Sequence, residues 1–157
     1  MTNRQIKINY EEYASIEEMN AEDRELASEA IKAMGGSYAP YSHFNVGAAV
    51  RMSNGQIVRG ANQENAAFPS GLCAERTAMF AAGARYPDKD MLSIAIAGGV
   101  MGRLALEPVT PCGACRQVMA QYQAKSGKPM SVIMISAGKI LKFGKVDDIL
   151  PLIFDSI

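Results

Sequence analysis

The feature that most constrains this chain is the placing of its cysteines. There are three in 157 residues, and all of them fall in two short motifs, Cys73-Ala74-Glu75 and Pro111-Cys112-Gly113-Ala114-Cys115. Packing alone does not account for that allocation. An odd number of cysteines, grouped as a CxxC pair plus one, suits metal binding in a reducing compartment better than a disulfide framework. Any fold this chain adopts must bring the first motif against the second.

The local pattern puts both motifs at the start of a helix. Pro69-Ser70-Gly71 breaks the chain, and Cys73 to Ala84 is rich in helix formers, with Gly83 and Pro87 expected to end the run. A second helix is expected from Cys112 to about Lys125. Upstream, Asn20 and Asp23 can cap a helix whose apolar residues Leu26, Ala27, Ala30, Ile31 and Met34 recur at helical spacing, and Gly35-Gly36 stops it. Val46 to Met52 and Gln56 to Ala61 flank Asn54-Gly55 and read as a hairpin. Met91 to Ala97 and Ser131 to Ser136 read as buried strands, and Lys139 to Phe143 pairs back after Ala137-Gly138. Val146 to Phe154 is expected to be a short helix interrupted at Pro151. Ile6, Ile8 and Tyr10 alternate with polar residues, as in a weak strand or an ordered arm. The order of elements suggests an α/β fold, a three-layer α/β/α sandwich with a five-stranded mixed sheet.

Composition narrows the function. With 48% apolar residues, a chain of this length buries one good core, so residues 1–157 are expected to form a single domain, with 1–20 as an N-terminal arm. The 16 basic and 16 acidic residues cancel to a net charge of zero. No basic stripe is present to hold a phosphate backbone, so nucleic acid is not expected as a partner. No apolar run is long enough for a membrane span, and a cytoplasmic location is expected.

Three cysteines also match the ligand count of a reactive zinc site. Catalytic zinc keeps three protein ligands and leaves the fourth position of its tetrahedron open to water. Cys73, Cys112 and Cys115 supply three thiolates, whose charge exceeds that of the metal and would oppose ionising that water. Two helix N-termini aimed at the sulfurs offset the excess with partial positive charge. Arg76, three residues past Cys73 on the same helical face, can donate to the thiolates and is favoured over Arg116 for that role. Zinc lowers the pKa of its water from roughly 15.7 to about 7. Glu75 stands at the helix start, where it can enter the pocket as a proton carrier without binding the metal.

At this point the chain resembles the small tetrameric cytidine deaminases. The likeness runs through Ala39-Pro40-Tyr41-Ser42-His43-Phe44-Asn45-Val46-Gly47-Ala48-Ala49, then Asn62-Gln63-Glu64-Asn65-Ala66-Ala67-Phe68-Pro69. It continues through Cys73-Ala74-Glu75-Arg76-Thr77-Ala78 and Pro111-Cys112-Gly113-Ala114-Cys115-Arg116-Gln117. The zinc deaminases use a three-cysteine or His-Cys-Cys site with a glutamate that is not a ligand. The resemblance implies one Zn2+ per chain and hydrolytic deamination of cytidine and deoxycytidine to uridine and deoxyuridine in pyrimidine salvage, with Glu75 carrying a proton to N3 and then assisting the departure of ammonia. It implies that Asn62 and Glu64 hold the ribose hydroxyl, that Phe44 lines the nucleoside pocket, and that the backbone around Ala74 contacts the base. It also implies a homotetramer with shared active sites, Ala66 and Phe68 reaching a partner's pocket and Phe154 standing near the base. Phe68 occupies a position where the family commonly has tyrosine, and the stretch up to about Asn20 has no counterpart in its shortest members.

Other readings remain open on the residues alone. A closed structural zinc site would need a fourth ligand such as His43, the only histidine, and leaves Glu75 without a role. A deaminase of another aminated base fits the same motifs. A redox pair at Cys112 and Cys115 would exclude zinc. Without the resemblance, Glu64 and Asn62 would be turn residues, Phe44 a core residue and His43 a surface or loop residue. The ten methionines read as flexible filler of a core or interface.

Overall fold

The computed structural model describes residues 1–155. Nine elements follow in chain order: β1 (Glu11–Tyr13), α1 (Ala21–Ala33), β2 (Phe44–Met52), β3 (Ile57–Ala61), α2 (Ala74–Arg85), β4 (Met91–Val100), α3 (Gly113–Ser126), β5 (Ser131–Ile135) and β6 (Ile140–Phe143). The strands form one mixed sheet of order β1-β6-β5-β4-β2-β3. Among these pairs β4 and β5 are parallel, and the others are antiparallel.

The sheet has six strands, not the five expected from sequence. The additional strand, β1, is three residues long and is held by its register on β6, with Glu11 opposite Lys142 and Tyr13 opposite Ile140. Nothing local announces it, because its partner lies at the far end of the chain. Ile6, Ile8 and Tyr10, whose alternation hinted at a strand, precede it and are exposed.

Period-two alternation divides the core between the two faces of the sheet. Ile94 and Ile96 of β4, with Val132 and Met134 of β5, join the α2 and α3 side chains Ala78, Met79, Cys115 and Met119. The intervening Ala95, Ala97, Ile133 and Ile135 pack on Leu26, Ala27 and Ala30 of α1. Helix α1 therefore covers one face, and α2 and α3 share the other. Eight of the ten methionines are buried in this core.

Local chemistry explains the boundaries. Asn20 caps α1, its Oδ1 accepting from Asp23 N at 2.9 Å. In the β2–β3 hairpin only Gly55 takes a positive φ, +82°, while Gly55 N donates to Met52 O and Met52 N to Gln56 O, both at 2.9 Å. That is a turn with a glycine bulge rather than a two-residue hairpin loop. Gly83 does not end α2 but lies inside it, because an added Cβ would stand 2.5 Å from the Tyr122 hydroxyl of α3. The expected helix over 146–154 shrinks to a 3-10 turn, Val146–Asp148. Pro151 contributes no N–H and disfavours helical backbone at Leu150.

One consequence of the topology prepares the site. Strands β3 and β4 are both antiparallel to β2 and so run in the same direction, and β5 runs parallel to β4. The units β3–α2–β4 and β4–α3–β5 are successive crossovers. Both helices therefore begin at the same end of the sheet, beyond the C-terminal ends of β3 and β4, and on the same face. That is where open α/β sheets place ligands.

Candidate active site

Cys73 is the N-cap of α2 and Cys112 the N-cap of α3, with extended backbone at both (φ −69°, ψ 152° and φ −67°, ψ 165°). Neither side chain caps its helix, so both thiols remain free for another partner. Cys115 follows in the first turn of α3 and is fully buried. The two helix starts bring Cys73 Sγ to 3.9 Å from Cys112 Sγ, and all three sulfurs lie within 4.8 Å of one another. A tetrahedral zinc with bonds of about 2.3 Å needs sulfurs about 3.8 Å apart, so this donor set fits the metal. Among the described residues the cluster supplies three ligand atoms. His43 stands elsewhere, exposed, lining a different cavity with Asn45 and Met101.

The electrostatics are those of a thiolate site. The nearby Cys115 thiol, helped by Arg76 and Cys112, pulls the Cys73 pKa down to about 5. The same pairing, reinforced by burial, pushes the Cys115 thiol far up. Arg76 Nη2 lies 3.6 Å from Cys73 Sγ, and its buried Nε has no partner. Arg116 points away, donating from Nε to Pro111 O and from Nη1 to Ile149 O, both at 2.8 Å.

Glu75 is 5% exposed and sits in the first turn of α2. Burial raises its carboxyl above the ordinary range, the charge of Cys73 adds to this, and the Cys115 thiol interacts with it directly. A carboxyl raised by burial beside a metal-competent cluster suits a proton carrier. Ala74, between Cys73 and Glu75, is fully buried.

A cavity of about 590 Å³ opens beside the sulfurs and is lined by Tyr41, Ser42, Asn62, Glu64, Phe68, Cys73 and Arg76, among others. It gathers five of the residues expected from sequence: Asn62, Glu64, Phe68, Cys73 and Arg76. Phe44, Ala66 and Phe154 lie outside its lining. Phe44 opens β2 opposite Val100, and Ala66 and Phe154 are exposed on the surface.

The polar groups of the cavity are built into its walls. Glu64 accepts from the backbone N–H groups of Tyr41 (2.9 Å) and Ser42 (3.2 Å) and from the Ser42 hydroxyl. The Ser42 bond first, and then that from Tyr41, hold its carboxyl below the usual range. Asn62 Oδ1 accepts from Val46 N (2.8 Å) and Ser37 Oγ (2.5 Å), and its Nδ2 donates to Phe44 O (2.9 Å). Its amide thus staples the end of β3 to the start of β2 while one N–H stays available to a ligand. Tyr41 meets Phe68 edge-on at 6.3 Å. Sequence reasoning gave no role to Ser42, although it lies in the quoted stretch around Pro40. Its bond to Glu64 spans 22 positions and has no local signal.

Comparison with known proteins agrees with this geometry. A family model described as the cytidine and deoxycytidylate deaminase zinc-binding region matches residues 20–128. A cytidine deaminase of Halalkalibacterium halodurans is 49% identical over 98 residues, covering 61% of this chain and 68% of that protein. A probable cytidine deaminase of Dictyostelium discoideum is 36% identical over 105 residues, covering 66% and 68%. Among solved structures, a cytidine deaminase from Burkholderia pseudomallei superposes with a TM-score of 0.72 at 36% identity, covering 87% of this chain and all of that one. One from Mycobacterium tuberculosis gives 0.69 at 28% identity, with the same coverage.

Proposed function

The chain belongs to the family of the cytidine and deoxycytidylate deaminase zinc-binding region, and on that premise we propose that it is a cytidine deaminase of the small bacterial type. It converts cytidine and water to uridine and ammonia, a reaction of pyrimidine salvage, and deoxycytidine is its second substrate. The observation that carries this reading is the meeting of Cys73, Cys112 and Cys115 at two helix starts with the buried Glu75 against them.

Cys73, Cys112 and Cys115 would hold one zinc, which when bound would supply a water activated near neutral pH. Glu75 would carry one proton of the attacking water to N3 of the pyrimidine, where uridine keeps it, and the second to the 4-amino group, which leaves as ammonia. Arg76 donates to Cys73 and offsets part of the thiolate charge. Glu64 and the remaining N–H of Asn62 receive the ribose hydroxyl, since both line the cavity and both are held by backbone partners. The cavity volume of about 590 Å³ suits a nucleoside. Phe44 and the backbone at Ala74 complete the nucleoside pocket, and Phe154 stands near the base.

The assembly is a homotetramer whose subunits share their sites, Ala66 and Phe68 entering the pocket of a neighbour. The exposure of Phe68, Leu106, Leu152 and Phe154 supports this reading. Among the described residues no helix is long and apolar enough to cross a membrane, and we place the enzyme in the cytoplasm, where thiolates stay reduced.

The test is to incubate the purified protein with cytidine, following ultraviolet absorbance and ammonia while bound zinc is quantified. Loss of cytidine with stoichiometric ammonia and about one zinc per chain, the number one three-cysteine site holds, is the expected result. A zinc-loaded preparation that leaves cytidine intact overturns the substrate assignment.

A further inference from the structure

Beyond the last 3-10 turn the chain leaves regular structure. That turn closes with Leu150 N donating to Val146 O at 2.9 Å. Pro151 to Phe154 belong to no helix or strand, and Leu152 and Phe154 are 80% and 69% exposed. Two adjacent side chains on the first turns of α3 nevertheless tie this segment down. Arg116 links Ile149 O to Pro111 O, the carbonyl just before Cys112. Gln117 donates from Nε2 to Phe154 O at 2.7 Å, and its Oε1 accepts from Phe154 N at 3.2 Å. The side-chain amide meets Phe154 as the backbone of a neighbouring strand would, engaging both polar groups of one residue. Its orientation follows from its partners, one a donor and the other an acceptor.

We infer that Gln117 is a positioning residue: its amide clamp on the Phe154 backbone fixes the apolar segment Leu152-Ile153-Phe154, so that Phe154 stands ready as a wall for the nucleoside base. The inference rests on the proposed placing of Phe154 near the base. The clamp explains how an exposed segment without secondary structure holds one position against the metal-bearing helix start. Loss of the clamp frees both polar groups of the Phe154 backbone, and the cost of ordering them falls on binding rather than on the chemical step.

The experiment compares Gln117→Ala, Phe154→Ala and the double variant as zinc-loaded full-length enzymes, measuring KM and kcat for cytidine and zinc content. Gln117→Ala should raise KM roughly tenfold, within what two amide hydrogen bonds of ordinary strength can hold in place. It should change kcat by less than about twofold, because a wall contacts substrate and transition state alike. Phe154→Ala should raise KM at least as much, and the double variant no further, since both changes remove one wall. A raised KM in Phe154→Ala with an unaltered KM in Gln117→Ala overturns the clamp and leaves the base wall standing. An unaltered KM in Phe154→Ala overturns the placing of Phe154, and the clamp inference with it. Additive effects, or loss of zinc in Gln117→Ala, show that Gln117 acts by another route.

Discussion

Glu75 concentrates the residue-scale argument. Its carboxyl is buried, raised in pKa first by desolvation, and adjacent to a thiol cluster it does not complete. Glu75→Gln keeps the volume and removes the proton, so it should retain zinc and fold while kcat falls by about a hundred- to ten-thousand-fold. Steady-state turnover beside a zinc assay checks this, and a variant of near wild-type rate refutes the proposed proton carrier. Cys112→Ala removes a ligand and the link between two helix starts. It should lose most of its zinc, read by metal analysis after dialysis. The motifs around Cys73 and Cys112 made these residues legible, because thiol count and spacing are written in the chain. Ser42 and Gln117 were not legible in the same way. Each acts through a hydrogen bond to a residue remote in sequence, Glu64 and Phe154, and a polar side chain in a loop or on a helix carries no mark of such a partner.

Elements decide whether those residues meet. Gly60 in β3 lies under α2, where an added Cβ would come within 2.3 Å of Ala78 N and 2.8 Å of Ala74 O. Both contacts are backbone, so the helix itself must move. Gly60→Ala should destabilise the fold by about 1–3 kcal/mol and shift the start of α2, weakening zinc retention as well. Denaturant unfolding together with a zinc competition assay measures both, and unchanged stability would mean the helix has more room than its geometry indicates. At the opposite edge, the Tyr13 phenol of β1 donates to Glu11 at 2.5 Å, and this bond, more than burial, raises its pKa from 10.0 to about 12. A phenol whose folded pKa exceeds the unfolded value contributes stability that is complete below the unfolded pKa and is lost as pH rises through the folded one. The arm should therefore loosen between pH 10 and about 12, the window set by those two values. A difference titration of tyrosinate absorbance between wild type and Tyr13→Phe checks it, and a Tyr13 that titrates at an ordinary value contradicts the tie. The helices could be read in advance because α1 carries its own cap, periodicity and glycine stop, and α2 a run of helix formers behind the Pro69-Ser70-Gly71 break. Strand β1 could not, since three residues pair only because β6 offers an edge.

At the scale of the molecule, zinc joins two crossovers that the backbone alone leaves as neighbours. Chelation should lower the melting temperature by at least about 5 °C, taking a ligand at a hundred times its dissociation constant and a domain of this size. Readdition of zinc should restore it, and a melting curve indifferent to chelation would mean that the metal ties nothing together. What the amino-acid sequence determined by itself was the chemistry and most of the regular structure: three thiols in two motifs, a glutamate beside one of them, and an apolar pattern for three helices and five strands. Tertiary structure alone decided the sixth strand, the interior place of Gly83, the short end of the last helical segment, and the hydrogen bonds that hold Glu64 and the Phe154 backbone. Caps, periodicity and ligand spacing are properties of neighbouring residues, which a chain displays before it folds. A sheet edge, a backbone approach of 2.3 Å at Gly60 or an amide that pairs with Phe154 depends on two distant segments arriving together, and only the folded chain brings them there.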